Sequence, residues 1–241
     1  MLQILKGGVV LKTADLVIKS AYEFYGELQK DKNGRYHSWE YCYLNFGKAR
    51  KETNPDLDYL SLQLAFYLAS WGMYRGSSFL LQKDYKVHIP VIEELLKEKY
   101  DFLFGIDCEH ILLEENQKLL EELSTFASSY YDAIRREVKG NELKNDVSET
   151  LTTKLLMGTM GCVPAYDRYF VSGIKAHKIA VGSYKTKSIV QLAKFYQENF
   201  EALEEARKNL VVGDMLYPQM KLIDMGFWQI GDVVEREKKN P

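Results

Sequence analysis

The sequence predicts an all-α fold, a multi-helix globular bundle, on three observations. No segment alternates polar and apolar residues for long enough to make a half-buried strand, and apolar residues recur instead at helical spacing. Prolines fall only at 55, 90, 164, 218 and 241, and Pro55, Pro90 and Pro164 stand at or just before helix starts, where a missing N–H costs nothing. A chain of 241 residues also buries most of its apolar surface without disulfides or metals.

The spacing predicts helices over 13–29, 36–49, 56–82, 89–99, 112–138, 146–159, 165–174, 185–211 (with a break near Phe200) and 215–225. In 36–49, Tyr36, Trp39, Tyr43 and Phe46 share one helical face. That face is either core or a stacking platform for a flat ligand, with His37 or Glu40 as the polar contact. Segment 56–82 is apolar nearly all round: Leu60, Leu64, Leu68 and Trp71 form one stripe, and Phe66, Tyr67, Met73 and Tyr74 fill the others. Such a helix belongs buried at the centre of a bundle. Arg75 follows it, and either snorkels out, pairs with a carboxylate inside, or meets a ligand. The runs "EELLKEK", "EENQKLLEEL" and "EALEEARK" mix signs at helical spacing and read as solvated faces. The chain reads as a single helical domain, 1–241, with a candidate internal boundary at 140–146 and a charged tail from Glu235 that frays.

Composition excludes several function classes. With 32 basic and 34 acidic residues the net charge is −2, so any polyanion site must be local. Cys42, Cys108 and Cys162 lie far apart without a CxxC pair, which suits reduced thiols. The start lacks a basic n-region and a continuous apolar core, and the longest uncharged run, Tyr59–Tyr74, has 16 residues, short of the roughly 20 of a membrane span. These features predict a cytoplasmic protein without membrane association. The four histidines, 37, 88, 110 and 177, show no metal-ligand spacing, and Cys108 and His110 in "DCEH" lack the third group that would orient a base. No metal and no cofactor is expected.

The chain's local asymmetry lies between Asp167 and Glu198, where there is no acidic residue while Arg168, Lys175, Lys178, Lys185, Lys187 and Lys194 supply six positive charges. Within it, "VGSYKTKS" precedes an apolar helical pattern, and lysines beside a helix start favour a phosphate. The expected partner is nucleic acid, another phosphorylated ligand, or an acidic protein, bound without catalysis; the alternative is a surface helix with solvated lysines. Ahead of the run stands "GTMGCVPAYDRYF". There Pro164 starts a helix and Asp167 falls in its first turn, offsetting the helix dipole. Asp167 is thus a capping residue, half of an ion pair for which Arg75 is the expected partner, or a catalytic carboxylate. Tyr166 and Tyr169 are expected to bracket it. The candidate ligand contacts are Trp39, Trp71, Arg75, Tyr166, Arg168, Tyr169, Lys175, Lys178, Lys185 and Lys187.

Two stretches, "YLASWGMYRGSSFLL" and "TKLLMGTMGCVPAYDRYF", resemble signatures of a group of bacterial intracellular helical proteins of uncharacterised activity. More remotely, the second resembles the helix-hairpin-helix DNA glycosylases, in which a helix, a loop and an apolar residue precede an aspartate at the start of the next helix. That resemblance implies that Asp167 activates water or stabilises cationic charge on a deoxyribose, and that the basic run holds DNA phosphates. In this chain Gly158 and Gly161 lie closer to the aspartate than that family's hairpin does, and Lys154 lies closer than its nucleophilic lysine.

Overall fold

A computed structural model describes residues 3–4, 10–138 and 147–239. The chain is all-α and globular, as the sequence predicts, and the candidate boundary at 140–146 lies outside the described residues. After a minimal antiparallel pair, β1 (Gln3–Ile4) with β2 (Val10–Leu11), come α1 (Thr13–Lys30), α2 (Ser38–Ala49), α3 (Leu57–Ser70), α4 (Ile89–Leu95), α5 (Cys108–Ile111) and α6 (Glu114–Arg136). Then follow α7 (Glu149–Thr159), α8 (Arg168–Ala176), α9 (Thr186–Glu198), α10 (Phe200–Arg207), the hairpin β3 (Val211–Val212) with β4 (Met215–Leu216), and α11 (Gln219–Lys239). Among the described residues no helix is long and apolar enough to cross a membrane. Cys42, Cys108 and Cys162 are free and buried, and burial pushes all three thiols up.

The expected helix over 56–82 is shorter and less central than its composition suggests. It ends at Ser70 in a Schellman turn: Gly72 adopts φ +80°, its amide donates to Ala69, and the Met73 amide donates to Leu68. The glycine that stops the helix is hidden inside an apolar run. One face of α3 is solvent-facing, with Phe66 60% exposed, and the opposite face packs Leu60, Leu64, Tyr67 and Leu68 inward.

The central position belongs to α7, buried on every side from Leu151 to Thr159, and to the first half of α11, buried from Gln219 to Phe227. Gly158 makes room for the Tyr67 ring, whose Cε1 lies 2.2 Å from where a Cβ would stand. α11 begins four residues later than the spacing suggests and continues through the charged tail to Lys239, where Glu235 accepts from Ser172 Oγ (2.7 Å) and Lys238 Nζ (2.6 Å). The expected break in 185–211 falls at Asn199, between α9 and α10.

His88 ties α4 to α6 from the fully buried interior. Its Nε2 lies 2.7 Å from the Tyr74 hydroxyl and its Nδ1 2.6 Å from the Tyr131 hydroxyl, and burial lowers its pKa to about 4. The folded chain therefore resists the proton that the unfolded chain takes up below about pH 6.5. Stability is expected to hold above that pH and to fall by up to about 1.4 kcal/mol per pH unit as pH drops from about 6.5 toward 4. Denaturant melts across this range check it, and His88→Gln should flatten the slope.

Candidate functional site

The "GTMGCVPAYDRYF" stretch is built around a buried non-helical loop. Gly161, at φ +63°, turns the chain out of α7, and its amide returns to the Leu156 carbonyl at 3.0 Å. Residues 161–166 are all buried, so their polar groups need internal partners. The Ala165 amide donates to Asp224 Oδ1 (2.9 Å), the Tyr166 amide to Thr153 Oγ1 (2.9 Å) and the Tyr166 hydroxyl to Ser188 Oγ (2.7 Å). Pro164 does not start the helix. α8 begins at Arg168, and Asp167 is its N-cap, with Oδ1 accepting from the Tyr169 (3.0 Å) and Phe170 (3.1 Å) amides. The capping role is observed, one turn later than expected.

The partner of Asp167 is Lys154 and not Arg75. Lys154 Nζ lies 3.6 Å from Asp167 Oδ2 and donates to the Trp71 carbonyl at 2.8 Å. Arg75 is exposed because α3 has already ended, and its guanidinium folds back over Gly72. It remains near enough that its charge opposes that of Lys154. Burial lowers the pKa of Lys154 and raises that of Asp167, in each case against the attraction between them. Desolvation outweighs the pairing, as it does for many buried ion pairs.

A second buried pair stands beside the first. Lys221 Nζ donates to Asp224 Oδ2 at 2.9 Å, both residues being less than 5% exposed. The ammonium faces the Trp39, Trp71 and Phe24 rings at 4.7, 5.4 and 5.6 Å from their centroids, which lessens its desolvation cost. Lys154 lies 5.8 Å from the Trp71 centroid. Lys221, Asp224 and Trp228 were not among the sequence candidates. The signal was there: a lysine and an aspartate three apart within the apolar run from Met220 to Ile230.

Above these pairs runs a half-buried aromatic strip. Tyr169 meets Trp228 (5.2 Å), Trp228 meets Tyr36 (6.5 Å), and Tyr36 meets Trp71 (4.9 Å). Two exposed arginines edge it: Arg168 lies over Tyr169 and Arg35 over Tyr36, each 4.7 Å from the ring centroid. Sequences far apart thus place all three tryptophans together, because Trp39 lies beneath the strip with its Nε1 donating to Met157 O at 2.9 Å. The stripe expected over 36–49 divides accordingly: Trp39, Tyr43 and Phe46, on α2, are core, and Tyr36, in the turn before it, alone joins the surface strip. The two tyrosines expected to bracket Asp167 point apart, Tyr166 into the core toward Ser188 and Tyr169 toward Trp228.

Lys175, Lys178, Lys185, Lys187 and Lys194 are all exposed, and among the described residues none has a carboxylate at ion-pair distance. Lys97, Lys99, Lys118 and Lys208, by contrast, each meet a glutamate. Arg168 differs from the lysines in reaching Glu235, at 3.7 Å. Lys178 holds the left-handed position that ends α8, at φ +54°. No protein-family model, curated protein or solved structure shows significant similarity to this chain.

Proposed function

We propose that this protein binds nucleic acid without cleaving it, with phosphates on the lysines of 168–194 and a base stacked on the strip of Tyr36, Trp71, Tyr169 and Trp228. The observation that carries this reading is the run of exposed lysines left without carboxylate partners among the described residues, in a chain whose acidic residues all lie outside that run. Unpaired surface lysines add nothing to stability, and they gain free energy when a polyanion releases its counterions. The aromatic strip edged by arginines supports the same reading, since any base presents a π-face and guanidinium groups hold phosphates. An acidic protein would meet the lysines but would leave the strip unused.

The variant Lys175→Ala/Lys178→Ala/Lys185→Ala/Lys187→Ala tests it. Folding should be nearly unchanged, while affinity for single-stranded DNA or RNA falls at least about 10-fold near 100 mM salt and the salt slope flattens by up to about 3 units. Affinity unchanged across a salt series would remove the nucleic-acid reading.

A second reading is favoured by the Lys154–Asp167 geometry. A buried amine with a lowered pKa beside a carboxylate with a raised one, under an aromatic ring, is a pairing suited to acid–base or nucleophilic chemistry. Release of a damaged base from DNA, with Asp167 stabilising the cationic sugar, is the reaction it would serve. Base release by the wild type that disappears in Asp167→Asn would establish it; a wild type that releases no base removes it.

A further inference from the structure

Between α6, the start of α7 and the start of α9 lies an open cavity of about 570 Å³, within the roughly 300–1,000 Å³ of small-molecule sites. Its wall carries two lysines, Lys185 and Lys187, and two carboxylates, Glu121 and Glu149. Among the described residues these opposite charges form no ion pair with one another; Glu149 Oε2 instead accepts the Tyr184 amide at 2.8 Å. Hydroxyls of Ser124 and Ser128 lie along the α6 wall, and the Ser124–Tyr184 hydrogen bond of 2.6 Å joins that wall to the segment before α9. Opposite charges that line one cavity without neutralising each other leave room for a ligand that satisfies both.

We infer that this cavity takes a small phosphorylated polyol, a sugar phosphate or the ribose phosphate of a mononucleotide. Two lysines on one wall match the charge of about −1.5 to −2 on a phosphate monoester better than the single charge of a carboxylate. The glutamates are acceptors only, so they select for hydroxyl donors, of which a ribose offers several spread along the cavity and dianionic inorganic phosphate a single P–OH on the group the lysines hold. A metal cation alone would be drawn by the glutamates and repelled by the lysines. This site stands apart from the aromatic strip and shares only Lys185 and Lys187 with the proposed nucleic-acid surface.

Isothermal titration of the full chain with ribose 5-phosphate, adenosine monophosphate, ribose and inorganic phosphate tests the assignment, beside Ser128→Trp, which fills the cavity and keeps every charge. Ribose 5-phosphate or the nucleotide should bind at least about 10-fold tighter than inorganic phosphate, and Ser128→Trp should weaken that binding at least about 10-fold while leaving DNA affinity unchanged. If Ser128→Trp does not fold, Glu121→Leu decides, since leucine offers no acceptor: loss of the preference for ribose 5-phosphate over inorganic phosphate supports the site, and an unchanged preference overturns it. Absence of binding by every probe at millimolar concentration, equal binding of inorganic phosphate, or indifference to a folded Ser128→Trp also overturns it. A chain that binds ribose 5-phosphate but not DNA sinks the nucleic-acid reading alone, and one with the converse behaviour sinks only this one.

Discussion

Gly231→Ala is expected to lower the stability of this protein by about 3 kcal/mol or more, because overpacking here meets backbone and not a flexible side chain. A Cβ at Gly231 would stand 1.7 Å from the Tyr169 carbonyl oxygen, and one at Gly173 would stand 2.1 Å from the Phe227 carbonyl oxygen. α8 and α11 therefore touch backbone to backbone. Relief requires the helices to separate, which strips contact from Phe170, Ile174, Phe227 and Ile230, all buried. The same separation would pull Tyr169 from Trp228, so tryptophan fluorescence should change together with the denaturant midpoint. Gly26→Ala is the control: it lies inside α1 with nothing within 4 Å of the added carbon, and should gain about 0.5–1 kcal/mol from helix propensity. A loss at Gly231 below about 1 kcal/mol would show that α8 and α11 separate readily.

Asp167→Asn should cost about 3 kcal/mol near neutral pH. The asparagine oxygen still accepts from the Tyr169 and Phe170 amides, so the cap survives and its loss cannot account for the effect. What is lost is the counter-charge of Lys154, whose side chain is only 6% exposed. Two measurements identify that cause. Lys154→Met should recover much of the stability in the Asp167→Asn background, because an apolar side chain of similar length leaves no buried charge. The penalty should also shrink as pH rises through the lowered pKa of Lys154, since a neutral amine needs no carboxylate. A cost well under about 1 kcal/mol at all pH values would reduce Asp167 to a helix cap.

Helical spacing made most of the fold legible. The end of α2, the span of α6 to within two residues at each end and the interruption near Phe200 all follow from apolar periodicity and charge pairs on one helix, which are local interactions. The end of α3 was not legible, because Gly72 sits among Trp71, Met73 and Tyr74 and an apolar run gives no sign of a left-handed turn. The start of α8 was misplaced for a related reason. Pro164 suits a helix start, yet its neighbours are held in an extended loop by Asp224 and Thr153, which come from other helices.

By itself the sequence determined that the chain forms helices, that its positive charge gathers between 168 and 194, and that Asp167 stands at a helix start. These are properties of residues within a few turns of one another. Only the tertiary structure decided which charges are buried and with whom. Lys154 looks like any other lysine in the chain, Lys221 is marked only by an aspartate three residues on in an apolar run, and Arg75 looked the natural partner for Asp167. Burial depends on which segments pack around a residue: α7 and the first half of α11 are enclosed on all sides, so Lys154 and Lys221 meet their aspartates in the interior, while the turn at Gly72 leaves Arg75 in water. The gathering of Trp39, Trp71 and Trp228 has the same origin, since helices distant in the chain share one core and no local pattern records their meeting.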